Sequence, residues 1–163
     1  MRRPEPDRQR HGCYSGRYRN FGKRRRVDAR RDRVQYPDLK RKGHALRDRY
    51  RPRVILIEKA GPGYTLLQDL WAEDSLYPRP IGRTPKGSKV DRMVADSAKI
   101  EAGQVWLPKD APWLDTYLNE LVAFPHGRHD DQVDSTSQFL NWIARNDAHH
   151  EVIAGGIIVP RTM

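Results

Sequence analysis

One cysteine in 163 residues, Cys13, leaves no partner for an internal disulfide and no thiolate set for a zinc cluster. No run approaches the roughly 18 apolar residues of a membrane span. The opening Met1-Arg-Arg-Pro-Glu-Pro-Asp7 lacks the apolar core of a secretory signal. These absences predict a soluble, cytoplasmic protein without a membrane partner. The glycine turn Gly61-Pro-Gly63 is not followed by Gly-Lys-Ser/Thr, which argues against ATP binding through a phosphate loop. Ser135, Thr136 and Ser137 have no nucleophile–base arrangement around them, and Ser137 reads as a small core-facing residue. His126, His129, His149 and His150 match no zinc spacing.

What the chain has in quantity is charge. Apolar residues make up 37% and charged residues 32%, so part of the chain is expected to lie outside a core. Residues 1–53 hold 20 Lys+Arg against 6 Asp+Glu, whereas 54–163 hold 11 against 15. A basic segment beside a mildly acidic one suits a polyanionic partner, because Lys and Arg release condensed counterions from nucleic acid. A solvated arginine-rich tail has the same composition, so charge alone does not identify DNA.

Residues 1–33 carry no sustained apolar period of 2 or 3.6 residues and are expected to be poorly ordered, with at most a short strand near Arg26–Arg33. Tyr36-Pro37 opens a helix to about Tyr50, with Leu39, Ala45 and Leu46 as a thin apolar side. Val54-Ile-Leu-Ile is a β-branched run that predicts a buried strand ending at Glu58, then a glycine turn and a helix over 64–72 with Leu66, Leu67, Leu70 and Trp71 on one face. Strand, turn, helix is an α/β unit. Tyr77-Pro-Arg-Pro-Ile-Gly is too rich in proline for a central strand and predicts an edge strand or a loop. Helices follow over 89–101 (Val90, Met93, Val94, Ala98) and through Trp113, Leu114, Tyr117, Leu118, Leu121 and Val122, with a short strand at 104–108 between them. A last helix spans about 130–145, burying Val133, Ser137, Leu140 and Ile143 or Ala144; Ala154-Gly-Gly-Ile-Ile-Val-Pro is a short strand or a loose tail.

The carboxylates carry the chemistry. Asp130, Asp131 and Asp134 crowd the mouth of the last helix beside His129. Acids there cap free N–H groups and meet the positive end of the helix dipole, which accounts for one or two of the three. Three within five residues repel one another unless a cation intervenes, and magnesium takes carboxylates and water. Glu58 adds a carboxylate from a distant segment, at the carboxyl end of a strand, where open α/β sheets place ligands; it also fits a charge marking the start of a loop. Lys86 and Lys89, on a loop entering a helix, are phosphate contacts or a solvated pair.

These segments, in this order, resemble the C-terminal nuclease domain of the large terminase subunit of tailed phages and prophages. The resemblance rests on Val54-Ile-Leu-Ile-Glu58, Leu66-Leu-Gln-Asp-Leu70, Pro85-Lys-Gly-Ser-Lys89, Ile100-Glu-Ala-Gly103, Val105-Trp-Leu-Pro108, Pro112-Trp-Leu114, Glu120-Leu-Val-Ala-Phe-Pro125 and His129-Asp-Asp-Gln-Val-Asp134. It implies an α/β, RNase H-like mixed sheet flanked by helices. It also implies an endonuclease that cuts concatemeric viral DNA during packaging, with Mg2+ or Mn2+ as cofactor, two ions in all. By the family pattern Glu58 is a central metal ligand, Asp131 the helix-borne ligand, Asp134 a further ligand and Asp130 a helper. His129 would touch the scissile phosphate or its water, and Lys86 and Lys89 the DNA. Implied partners are double-stranded DNA, the portal or prohead, and the small terminase subunit. Such domains open with a strand bearing an aspartate, hairpin-paired to a second. The stretch before Tyr36 has no apolar strand with a central aspartate, so the first strand is expected to be missing or degenerate, as in a truncated or frame-altered gene, and the family's ATPase motor has no counterpart. The expected layout is a basic head at 1–33, the nuclease domain at 34–147 and a tail at 148–163. Two other readings remain open: an inactive remnant that binds DNA, and a Holliday-junction resolvase of the same superfamily, which the Asp131-x-x-Asp134 spacing also fits.

Overall fold

The computed structural model describes residues 11–20, 24–52, 54–73, 78–146 and 153–158. The architecture is α/β: five helices and a mixed sheet whose pairs β3–β4, β3–β6 and β2–β5 run parallel. The strands are β1 (His11–Asn20), β2 (Arg24–Val34), β3 (Val54–Glu58), β4 (Ile81–Arg83), β5 (Val105–Trp106) and β6 (Ile153–Ile158), in the spatial order β4-β3-β6-β1-β2-β5. The helices are α1 (Tyr36–Tyr50), α2 (Pro62–Trp71), α3 (Lys89–Glu101), α4 (Leu114–Ala123) and α5 (Asp131–Asn146).

The β-branched run at 54–58 forms β3 as expected, and its alternation divides the core. Ile55 and Ile57 pack with Leu39 of α1 and Leu66, Leu67 and Leu70 of α2. Leu56 points the other way, into Phe139, Leu140, Trp142 and Ile143 of α5, with Val54 packed alongside. Side chains two residues apart share a face of a strand. Glu58 therefore belongs with Val54 and Leu56 on the α5 side, and that parity builds the site.

Proline sets the entries of two helices. α1 and α2 each carry Pro in the first turn, where the missing N–H costs nothing. α2 starts at Pro62, earlier than the expected Tyr64, because Gly61 at φ 46° turns the chain directly into it. Pro78-Arg-Pro80 leads into β4, a three-residue strand at the sheet's edge, where prolines upstream do not interrupt a ladder. At Gly82 the chain passes so close to Leu67 and Lys59 that a side chain would overlap both.

Several expectations are corrected. The stretch 11–34, expected to hold at most a short strand near Arg26–Arg33, carries two long antiparallel strands, with Gly16 opposite Ala29 and Arg17 opposite Asp28. Backbone pairing needs no apolar run, so hydropathy did not reveal it. Of the two alternatives for the glycine-rich segment, a short strand or a loose tail, residues 153–158 take the strand, and it is an interior one, antiparallel to β1 and parallel to β3. Trp71, expected on one face with Leu66, Leu67 and Leu70, is exposed while they are buried, and its Nε1 donates to the Pro80 carbonyl at 2.8 Å. The apolar stripes of α3 and α4 are half wasted: Val94 is 65% and Val122 85% exposed, and of the expected α4 stripe only Tyr117 is buried. In α5 Ile143 is buried and Ala144 is not. The remainder of the expected head and tail, at 1–10, 21–23, 147–152 and 159–163, lies outside the described residues.

Candidate functional site

β3 delivers Glu58 to the flank of α5, where Gln138 Nε2 donates to its Oε2 at 2.8 Å. Both side chains are buried. One turn earlier on the same helix face stands Asp134, also buried and near enough for its charge to act on Glu58. Burial pushes the Glu58 carboxyl above its ordinary value. The Asp134 charge pushes the same way, while the Gln138 hydrogen bond and the cations Lys89 and Arg92 pull against it.

Those cations come from α3. Ser88 caps that helix, accepting from the Asp91 N–H at 3.1 Å, and the first two turns then present Lys89 and Arg92 to α5. Lys89 Nζ donates to Asp130 Oδ1 at 2.8 Å and lies 3.9 Å from Asp134 Oδ2. Arg92 donates to Asp134 Oδ1 and, at 2.8 Å, to the Gly87 carbonyl. This second pair is almost dry, with side chains 10% and 5% exposed. Burial lowers the Lys89 pKa, but its hydrogen bond to Asp130 and the charges of Asp134, Asp130 and Asp131 outweigh that and hold it above the ordinary value.

Capping of α5 falls to a residue that sequence reasoning did not single out. Glu120 of α4 accepts from the backbone N–H of Gln132, from that of Val133 at 3.4 Å and from Gln132 Nε2 at 3.0 Å. A buried carboxylate from another helix thus meets the positive end of the α5 dipole. Asp130 and Asp134 spend their carboxylates on Lys89 and Arg92 instead.

The structure brings Glu58, Asp134, Asp130 and Lys89 into one neighbourhood. Asp131 is half-buried in the first turn of α5 and close enough to act on Lys89. His129 is half-buried just before that turn. Lys86 is exposed on the β4–α3 loop, and His149 and His150 lie outside the described residues. Gln138 and Arg92 were missed, although helical spacing holds the signal for both: Gln138 follows Asp134 by four residues, and Arg92 follows Lys89 by three. Glu120 had no such local signal, since its partners lie in another helix.

The domain model for the terminase RNaseH-like domain matches residues 23–142. The chain belongs to that family. Comparison with curated proteins and with solved structures gave no match. In this terminase domain Glu58 and Asp134 supply hard oxygen donors of the kind magnesium accepts while keeping several of its waters. Among the described residues no group of three or more His, Cys, Asp or Glu is arranged to hold a metal. No helix among the described residues is long and apolar enough to cross a membrane.

Proposed function

We propose that this terminase domain is a divalent-metal-dependent endonuclease that hydrolyses phosphodiester bonds of double-stranded DNA during viral genome packaging. The observation that carries the reading is the convergence of Glu58, from the end of a buried strand, with Asp134, from the first turn of a helix, on a shared patch. Two buried carboxylates whose charges act on each other favour a cation beside them, a place that Lys89 and Arg92 take in this structure and that a metal ion would share. Glu58 and Asp134 would hold a magnesium or manganese ion, with Asp131 at the rim and Asp130 and His129 flanking. When bound, such an ion supplies Lewis-acid polarisation of the phosphate and a water of lowered pKa. Gln138 fixes the Glu58 carboxylate in place. Lys89 and Arg92 balance the charge of the acidic patch, and an ion held by Asp134 would share that carboxylate with them. By resemblance, the portal or prohead and the small terminase subunit are its proposed partners.

A second reading has an observation in its favour. β1, His11-Gly-Cys-Tyr-Ser-Gly-Arg-Tyr-Arg-Asn20, contains no carboxylate, and Asp134 already has a well-buried guanidinium partner. Both suit a domain that binds DNA without cutting it. Plasmid nicking in magnesium or manganese, with Asp134→Asn and Asp131→Asn as controls, separates the two. Metal-dependent nicking by the parent chain alone supports the nuclease. Salt-sensitive binding without nicking, or equal nicking by the variants, removes it.

A further inference from the structure

Below the acidic patch, the same helix face changes character. Asp134, Gln138, Asn141 and Arg145 follow at intervals of four, three and four residues, so they form one stripe along α5. The stripe runs from a carboxylate, through two amides, to a guanidinium. Opposite its lower half lies the end of β4 and the loop that leaves it. Arg83 is the register partner of Glu58 in the parallel β3–β4 pair, and Thr84, Pro85 and Lys86 continue from it. Together with Arg92, these residues line a cavity of about 110 Å3. That is several times the roughly 10–15 Å3 that one water needs.

Four of the eight lining residues are cationic and none is acidic. Among the described residues, Arg83, Lys86 and Arg145 have no carboxylate within ion-pair distance. Arg145, in the last turn of α5, would meet the negative end of the helix dipole anyway. That does not explain why a second guanidinium, half-buried, is held against it. Burial and the neighbouring Arg145 charge both lower the Arg83 pKa, so this pair is set at an electrostatic cost that an anion would relieve. Arg92 reinforces the point: its Nε is buried without a hydrogen-bond partner, and its guanidinium reaches Asp134 from the cavity's edge.

We propose that the cavity bounded by Arg83, Thr84, Lys86, Arg92, Asn141 and Arg145 is a binding site for a phosphate group. Two guanidinium forks match the oxygens of a phosphate in a paired geometry that lysine alone does not offer. The Thr84 hydroxyl and the Asn141 amide add donors that a halide would not need. Gln138 forms the common wall: it lines this cavity while its amide is committed to Glu58. Gln138 and Arg92 border both this cavity and the Glu58–Asp134 patch, so the two are contiguous, and the cavity extends from there toward Arg145. Where the ligand is DNA, it is a backbone phosphate, and the cavity fixes the strand's register on the domain. The identity of the source rests on the nuclease reading above; the preference for phosphate rests on the cavity's own residues.

The test uses the full chain and two probes. Inorganic phosphate, titrated at low ionic strength and followed by backbone amide signals, is expected to shift Thr84, Asn141 and Arg145. A short labelled duplex is expected to bind with a salt slope that falls by about one in Arg145→Gln, with affinity about tenfold lower. Arg145 is exposed at a helix end, so this variant keeps its fold. Arg83→Gln combined with it abolishes the phosphate shifts, and Lys109→Gln, which removes an exposed charge elsewhere, leaves both probes nearly unchanged. Phosphate binding that the variants lose, without duplex binding, upholds the cavity as a site for free phosphate and removes DNA as its source. Duplex binding with the same affinity and salt slope in the double variant overturns the inference while leaving the nuclease reading intact.

Discussion

Replacing Arg92 with leucine removes one half of a pair whose other half, Asp134, has a side chain only 5% exposed. Breaking a buried ion pair from one side costs about 3–5 kcal/mol, because the remaining charge keeps its desolvation penalty without its partner. Lys89 lies 3.9 Å from the other Asp134 oxygen and is itself part-exposed, so it offsets about 1 kcal/mol at most. The expected loss for Arg92→Leu is therefore about 2–4 kcal/mol, a large share of the 5–15 kcal/mol that holds a typical domain together. Asp134→Leu on top of it takes the stranded charge away. The double variant should recover to within about 1 kcal/mol of the parent, giving a coupling energy near 2 kcal/mol or more. Urea unfolding at neutral pH measures all four corners, with m unchanged if the denatured state is the same throughout. A divalent cation adds a second readout. Arg92→Leu leaves Asp134 open to it, so magnesium at about one hundred times its dissociation constant should return about 2.7 kcal/mol to that variant, and less to the parent. A single-variant cost below about 1 kcal/mol, or a double variant in which the two losses add, would refute the claim that Arg92 stands in for a cation at a buried carboxylate.

The Glu58 carboxyl is held above its ordinary value by burial, so the folded state holds this proton more tightly than the unfolded chain does. Its contribution is complete below the unfolded value near 4.5 and is lost as pH rises through the folded value. Parent minus Glu58→Gln stability should accordingly fall with rising pH across that window; a flat difference contradicts the assignment. Glu120→Gln removes the negative charge that three donors at the start of α5 share, and about 1–3 kcal/mol should go with it. Thermal melts would read this as a drop of about 2–4 °C for each kcal/mol. Gly82→Ala drives a methyl into the buried Leu67 side chain and should cost about 1–3 kcal/mol. An unchanged urea midpoint would mean that β4 and α2 have more room between them than the structure gives.

The sequence made some of these features legible and hid others for identifiable reasons. β3 and Glu58 stood out because four consecutive β-branched or leucine residues have few uses other than a buried strand. α5 stood out because its apolar period coincides with an acidic first turn. What the carboxylates face did not stand out. Asp134 finds Arg92 from a helix 42 residues away, and Glu58 finds Gln138 across 80 residues. Such contacts are set by how α3 and β3 pack on α5, not by local pattern. The arginine-rich β1–β2 hairpin defeated hydropathy because a ladder of backbone hydrogen bonds can form under almost any side chains. α4 misled in the opposite direction. Its stripe has helical spacing, yet only the Tyr117 side is covered, with the tyrosine hydroxyl 3.0 Å from Thr136 Oγ1.

β6 has a bearing on how the molecule comes together. Val54 of β3 pairs with Ala154, and Tyr14 of β1 pairs with Ile158, so this one strand joins the β3–β4 pair, from the middle of the chain, to a half-sheet built around the β1–β2 hairpin. β4–β3 on one side and β1–β2–β5 on the other share no ladder except through it. Contacts this distant in sequence close late and slowly, since the loop entropy must be lost before the pairing returns anything. During synthesis, β1 and β3 would both wait as open edges until residues 153–158 had left the ribosome. Open edges are where chains exchange strands with their neighbours. A nascent copy of this domain would be most prone to swap with another copy in that interval.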